Sequence, residues 1–258
     1  MEERKLPDPR VYIGLPFYDR VYPQTMLAAT AYASDVPGRC AVPQIMGSGF
    51  HCANFNALWA AALNTRKEVG WTHLAMIHSD VHPTMFWVDL LLAEMAKTGA
   101  DVLCVVLPIK DDKRITSIGV LNKDTLCTRR LTMKEINNYL PPTFASEDLK
   151  ALGHKNHLLM PVAGLFVCDF TKPWIEKVWF EAPSRIIQQP DGTFISAVWD
   201  EGWNLSLQMH QLGLKILATQ VVPARHLGGG EWDNQTDDGG WETDGGDTSQ
   251  AWILGRTP

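Results

Sequence analysis

The chain has 258 residues and a formal charge of −6, from 23 Lys and Arg against 29 Asp and Glu. A hydrophobic share of 45% and a charged share of 20% exclude an intrinsically disordered polymer and suit one large globular domain. The acidic balance offers no broad basic surface for a phosphate backbone, so nonspecific nucleic-acid binding is not expected. The longest apolar segments, LAMI, VLCVVLPI and LLMPVAGLFVC, fall short of the roughly 18–20 residues of a membrane span. The charged start, MEERKLPDPR, lacks the apolar centre of a signal peptide. Cys40, Cys52, Cys104, Cys127 and Cys168 have no metal or redox spacing. They read as reduced and structural, which places the protein in the cytoplasm.

RVYIGLP (10–16) reads as a first strand, closed by a proline that cannot donate to a ladder. A helix is expected over Pro23 to Ala33, and RCAVPQIM gives a second strand. Asn54 can cap a helix over FNALWAAALNTRKEV, and THLAMIHS is the next strand. A helix starting at Pro83 or Thr84 should bury Phe86, Leu90 and Ala93 and stop at Gly99. ADVLCVVLP follows as a strand. Beyond Ile109 a polar loop and hairpin are expected, and Leu131 to Leu152 shows no clean period and is placed beside a cleft. HLLMPVAGLFVC gives a strand leading to a helix from Thr171 or Pro173. WDEGWNLSLQMHQLG is a helix stopped by Gly213, with Leu205, Met209 and Leu212 along its stripe, and LKILATQVV is the last strand. This alternation predicts an α/β fold with a mostly parallel central sheet and flanking helices. The domain spans residues 1–228, and a Gly-, Asp- and Trp-rich tail or flap occupies 229–258.

Ligands of such sheets gather at the carboxyl ends of the strands. Asp80, His82, Asp200, Glu201 and His226 all fall at that kind of position. In an extended chain Asp80 and His82 point to the same side and can share one divalent ion. Asp80 suits equally the cap of the helix that follows. Asp200 and Glu201 suit a helix N-terminus by charge alone. His51, His73, His78 and His210 read as packing or hydrogen-bonding residues.

Taken in order, VYIGLPFYD, CANFNALWAAAL, LAMIHSDVHP, PVAGLFVC, DEGWNLSLQMHQLG and VVPARHLG resemble a family-2-like glycosyltransferase of the GT-A fold, with an Asp-x-His variant of the metal motif. The resemblance spans Val11 to Gly228. It implies a metal-dependent, hexosyltransferase-like enzyme that moves a sugar from a nucleoside-diphosphate sugar, a UDP-sugar, to a hydroxyl acceptor. It implies Asp80, His82 and His226 as ligands of Mn²⁺ or Mg²⁺, and Pro16 and Tyr18 beside the base. It also implies Asn54 near the nucleotide, Lys110 as a basic residue after the following strand, and Gly164 close to the donor sugar or acceptor.

Two departures keep alternatives open. The Ala-Arg-Asn signature reads Cys52-Ala53-Asn54 here, without its arginine. Aligned on Leu205-Ser206-Leu207, the Glu-Asp pair of inverting members falls on Glu201-Gly202, so a glycine takes the place of the base. The base is then Asp200 or Glu201, or the enzyme retains configuration and needs none. A nucleotidyltransferase and a catalytically inactive nucleotide-sugar-binding protein are the competing readings.

Overall fold

The computed structural model describes residues 9–34, 41–110, 115–123, 128–162, 164–188 and 191–235. Strand β1 (Val11–Phe17) leads to helix α1 (Pro23–Ser34) and strand β2 (Ala41–Gly47). Helix α2 (His51–Thr65) ends in a π turn, followed by β3 (His73–Ile77), β4 (Val81–Pro83), α3 (Trp87–Thr98) and β5 (Val102–Val105). Next come the strands β6 (Ile115–Asn122) and β7 (Thr128–Thr132), helix α4 (Met133–Tyr139) and the short β8 (Thr143–Phe144). β9 (His157–Met160) and β10 (Leu165–Asp169) precede a hairpin of β11 (Ser184–Gln188) and β12 (Phe194–Val198). Helix α5 (Glu201–Gln211), β13 (Ile216–Thr219), β14 (Ala224–Leu227) and β15 (Glu231–Asp233) complete the described chain.

The central sheet has the order β2-β1-β3-β10-β5-β13-β8. β1–β2, β1–β3 and β5–β13 pair parallel; β3–β10, β5–β10 and β8–β13 pair antiparallel. β1, β2, β3, β5 and β13 therefore share one direction, with β10 reversed between β3 and β5 and β8 reversed at the edge. The mostly parallel expectation holds for strand direction, but the pairing is mixed because the late strand β10 inserts into the middle.

Strand alternation splits the core into two layers. Val11, Ile13 and Leu15 with Ala75 and Ile77 pack towards Ala29, Tyr32, Trp87 and Leu91 of α1 and α3. Tyr12, Leu74 and Met76 face Phe55, Leu58, Trp59 and Ala62 of α2 and Leu205 and Met209 of α5. Burial on both faces explains why these strands read as continuous apolar runs.

Several local expectations are corrected. β1 runs on through Pro16, paired with Met46. Its pairing with β3 stops at Gly14, so the missing N–H at 16 faces no second ladder there. Helix α2 begins at His51, before Asn54, with Phe50 at the cap position making no side-chain cap bond. Helix α3 begins at Trp87, and the expected stripe is turned outward: Phe86 and Leu90 are exposed, while Trp87, Val88, Leu91 and Met95 are buried. Leu212 is likewise exposed, just past the end of α5. After β10 there is only a 3₁₀ turn, Pro173–Glu176, instead of a full helix. The hairpin expected beyond Ile109 is β6–β7, and Gly99 and Gly213 take the left-handed conformation that ends α3 and α5.

The segment from Leu131 to Leu152 contains α4, started by a capping box in which Thr132 and Glu135 exchange side-chain to backbone bonds of 3.1 and 2.8 Å. Its Met133, Ile136 and Leu149 join a separate core cluster with Val106 and Ala218. Of the residues grouped with the tail, 229–235 carry β15, which pairs with β14, and Asn234 is buried; 236–258 lie outside the described residues. Cys52, Cys104 and Cys168 are free thiols, with Cys104 and Cys168 buried; Cys40 and Cys127 lie outside the described residues. No described helix is long and apolar enough to cross a membrane.

Candidate functional site

The parallel strands deliver their carboxyl ends to one edge of the sheet, and the chain is tied down there. Asn54 is buried in the first turn of α2 and donates to the carbonyls of Phe17 at 2.9 Å and Ser48 at 3.1 Å. Both amide hydrogens are thus spent on joining the end of β1 to the entry of α2, a positioning role rather than a cap. After β3, the His78 N–H donates to Gly164 O at 2.8 Å and Val81 N–H returns to His78 O at 3.1 Å, closing a turn through Asp80.

The small sheet β15-β14-β4 decides which histidine meets Asp80. His226 on β14 pairs with Val81, and Arg225 pairs with His82. Directly paired residues share a face, and neighbours along a strand alternate. His226 therefore stands on one face and His82 on the other. His226 Nε2 lies 3.5 Å from Asp80 Oδ2, whereas His82 lines a different cavity with Thr84, Arg225 and Asp233. Asp80 sits in the turn, outside the extended segment that starts at Val81, so the i, i+2 geometry of an extended chain does not describe the pair.

Lys110 forms an ion pair with the same Asp80 oxygen. Burial pushes the Asp80 carboxyl up, but hydrogen bonds and charge from His226 and Lys110 outweigh it and hold the group well below the usual carboxylate range. His226 Nδ1 is 2.9 Å from the carbonyl of Pro108. A carbonyl only accepts, so Nδ1 carries a proton and Nε2 is the atom turned to Asp80. Two acceptor atoms 3.5 Å apart repel unless positive charge lies between them. A proton on Nε2 satisfies this, and so does a divalent cation; the donor set fits a magnesium- or manganese-like ion that takes its other ligands from phosphate and water. Among the described residues, no group of three or more His, Cys, Asp or Glu side chains converges on one such point.

His226 also lines a cavity of about 140 Å³ with His78, Ser117, Arg130, Gly164, Asp200, Glu201 and Gly202. The two carboxylates have different environments in it. Asp200 caps α5, its Oδ1 accepting from Gly202 N–H at 2.9 Å and Trp203 N–H at 3.1 Å. Its Oδ2 meets Arg130 at 3.3 Å. Arg130 in turn donates to Ser117 O at 3.2 Å and lies 4.6 Å over the Trp203 ring. Among the described residues, the ion-pair partner of Glu201 is His51, 3.8 Å away. Burial first, then the neighbouring Asp200 charge, pushes its carboxyl up. Of the two, Glu201 is the better proton acceptor.

Gly202 has a packing cause. A Cβ there would lie 2.1 Å from the Val162 carbonyl oxygen, backbone that cannot swing away. Gly202→Ala should therefore destabilise the fold by about 1–3 kcal/mol, read as a lower urea midpoint; an unchanged midpoint would show that the Val162 loop yields.

Of the remaining expected residues, Gly164 does line the cavity, although a Cβ would meet Leu107 at 3.0 Å and Val81 at 3.1 Å, so packing alone favours glycine. Pro16 is buried inside β1, and Tyr18 beyond its end is 67% exposed and does not line the cavity. Sequence reasoning passed over His51, His78, Ser117 and Arg130. Ser117 was hidden in a plain strand, yet its hydroxyl is buried with no protein partner among the described residues. His78 was legible only through position, two residues before Asp80. Burial, followed by the nearby His51, lowers His78 to about 3, so it is neutral at physiological pH.

No family model matches the chain, and no curated protein matches it. Among solved structures, the crystal structure of A197 from STIV is similar over 84% of this chain and 85% of that one, at 14% identity and a TM-score of 0.48. The crystal structure of GalNAc-T7 with UDP, GalNAc and Mn²⁺ is similar over 86% of this chain, at 11% identity and a TM-score of 0.49. The chain spans 44% of the length of that second protein. Identities this low carry no residue-to-residue correspondence.

Proposed function

We propose that this protein is a GT-A-type, metal-dependent glycosyltransferase that moves a sugar from a nucleoside-diphosphate sugar, a UDP-sugar, to a hydroxyl acceptor. The observation that carries this reading is the cavity at the strand ends, lined both by His226, the partner of Asp80, and by the partly buried carboxylate of Glu201. A cation holder and a base lining one cavity suit a reaction in which an anionic leaving group departs while a hydroxyl attacks.

Asp80 and His226 would hold Mn²⁺ or Mg²⁺, which supplies charge neutralisation for a departing diphosphate. Lys110 adds a fixed positive charge beside Asp80. Glu201 takes the proton of the acceptor hydroxyl as that oxygen bonds to the anomeric carbon and the bond to the diphosphate breaks, an inverting displacement. Asp200 caps the helix that presents Glu201 and fixes Arg130 in the same wall. The exposed Tyr18 ring at the end of β1 is available to stack on the base.

His226→Ala should weaken Mn²⁺-dependent binding of a nucleoside diphosphate by about 10–100-fold, whereas His82→Ala, on the other face of the small sheet, should leave it nearly unchanged. Calorimetry of both variants decides this, and the reverse ranking would move the cation site to the second cavity. The function itself is tested by a thermal-shift screen of nucleotide-sugars with Mn²⁺, followed by turnover of the hits, since a donor stabilises only the state that binds it. Stabilisation with turnover is expected; stabilisation without any turnover would favour a binding protein.

A further inference from the structure

The sequence gives no hint that His51 belongs to the chemistry. It is the first residue of α2, far along the chain from Glu201, the first residue of α5. The fold brings their side chains to 3.8 Å, His51 Nε2 to Glu201 Oε1. Two rings set the imidazole plane: Phe55 meets it edge-on at 4.7 Å and His78 at 5.3 Å. His51 keeps 38% of its side chain exposed, and Glu201 keeps 24%. Both side chains thus reach solvent, the imidazole more than the carboxylate.

We propose that His51 is the positioning and proton-relay partner of Glu201. This rests on the reading of Glu201 as the base. The acceptor O–H bond breaks as Glu201 Oε takes the proton, and the acceptor oxygen bonds to the anomeric carbon while the leaving diphosphate takes the electron pair of its bond to that carbon. Glu201 then passes the proton to Nε2 of the neutral His51, and the imidazolium releases it to water. The carboxylate is restored with no other co-reactant.

The surroundings suit this transfer. Burial lowers His51, with Asp80 and Asp200 opposing, while burial and Asp200 raise Glu201. The two groups are brought closer in acidity than free histidine and glutamate, which eases proton exchange between them. The charged and titratable groups facing the pair are Asp200 on α5, Arg130 on β7, Asp80 and His78 after β3, and Cys52 beside His51 on α2.

His51→Gln keeps a polar side chain but cannot take the proton. It should lower kcat by about 10-fold or more, less than the loss of the base itself, with KM for the donor little changed. The relay needs His51 neutral, so in the wild type its protonation contributes to the acidic limb of the kcat profile, and with the imidazole removed that limb should move to lower pH, where Glu201 alone titrates. A lowered kcat with an unmoved limb, or an unchanged kcat, would overturn the relay. A second measurement needs no turnover: the His51 pKa followed by NMR in the wild type and in Glu201→Gln. Loss of the carboxylate should lower it, and an unchanged value would show that the two groups do not communicate. If no donor turns over while the His51 pKa responds, the glycosyltransferase reading fails and the pair stands.

Discussion

Glu201→Gln is expected to lower kcat by about 10²–10⁴-fold, the usual scale for a removed acid or base group, while the affinity for the nucleotide-sugar should change only a few-fold. The amide keeps the size of the side chain, so the cavity wall it shares with Gly202 and Arg130 is preserved. The direction of the stability change separates a catalytic from a structural role. Burial and Asp200 raise the Glu201 carboxyl in the folded protein. A carboxyl that binds its proton more tightly folded than unfolded destabilises the fold wherever it is forced to ionise, an effect that disappears as pH falls below its unfolded value. Removing the charge at neutral pH should therefore leave Tm unchanged or raise it while activity collapses. Asp200→Asn should behave in the opposite way: both its oxygens are occupied by the cap and by Arg130, so it should lose stability on the scale of a helix cap, about 1 kcal/mol, with a smaller loss of turnover. Full activity in Glu201→Gln, measured beside its Tm, sinks the assignment.

Asp80→Asn should abolish metal-dependent donor binding. Asparagine cannot supply the anionic ligand that a hard cation prefers, and it cannot balance the Lys110 ammonium. The wild-type carboxylate is held ionised far into acid by His226 and Lys110. A depressed carboxyl contributes stability above its unfolded pKa and loses it as pH falls through the folded value. The variant should thus be less stable than wild type at neutral pH, and the difference should shrink in acid. Titration of a nucleoside diphosphate with and without Mn²⁺ reads the binding loss, and equal metal-dependent affinities for variant and wild type would remove Asp80 from the site.

Much of the fold is written in local pattern. β1, β3, β5 and β13 are apolar runs buried on both faces, and α1 appears over nearly the expected residues because Pro23 opens it and its alanines pack on the sheet. Elements set by tertiary contact were harder. Nothing in LFVCD says that β10 runs against its neighbours. The α3 stripe was misread by one residue because Phe86 and Trp87 are both large and apolar, and only docking against Ala28 and its neighbours buries the tryptophan. Thr132-x-x-Glu135 was a visible start signal for α4, overlooked within an aperiodic stretch.

The site shows the same division. Asp80 was legible because it follows the parallel strand β3, and the turn after such a strand is where a ligand meets the sheet; Glu201 instead follows the antiparallel hairpin strand β12, and His226 lies inside β14 of the small antiparallel sheet. Which residue faces which was not legible. His82 parts from His226 through a pairing register of β4 with β14, more than a hundred residues apart in sequence. Arg130 and His51 enter from β7 and α2, and no local motif marks either of them.

Proton NMR of the wild-type protein with a stabilising nucleotide-sugar, Mn²⁺ and a hydroxyl acceptor tests the central claim most directly. The account predicts loss of the donor anomeric signal, appearance of a glycoside of inverted configuration, and no reaction when the metal is chelated. A donor that binds but stays intact under these conditions, or a reaction indifferent to the metal, would contradict it.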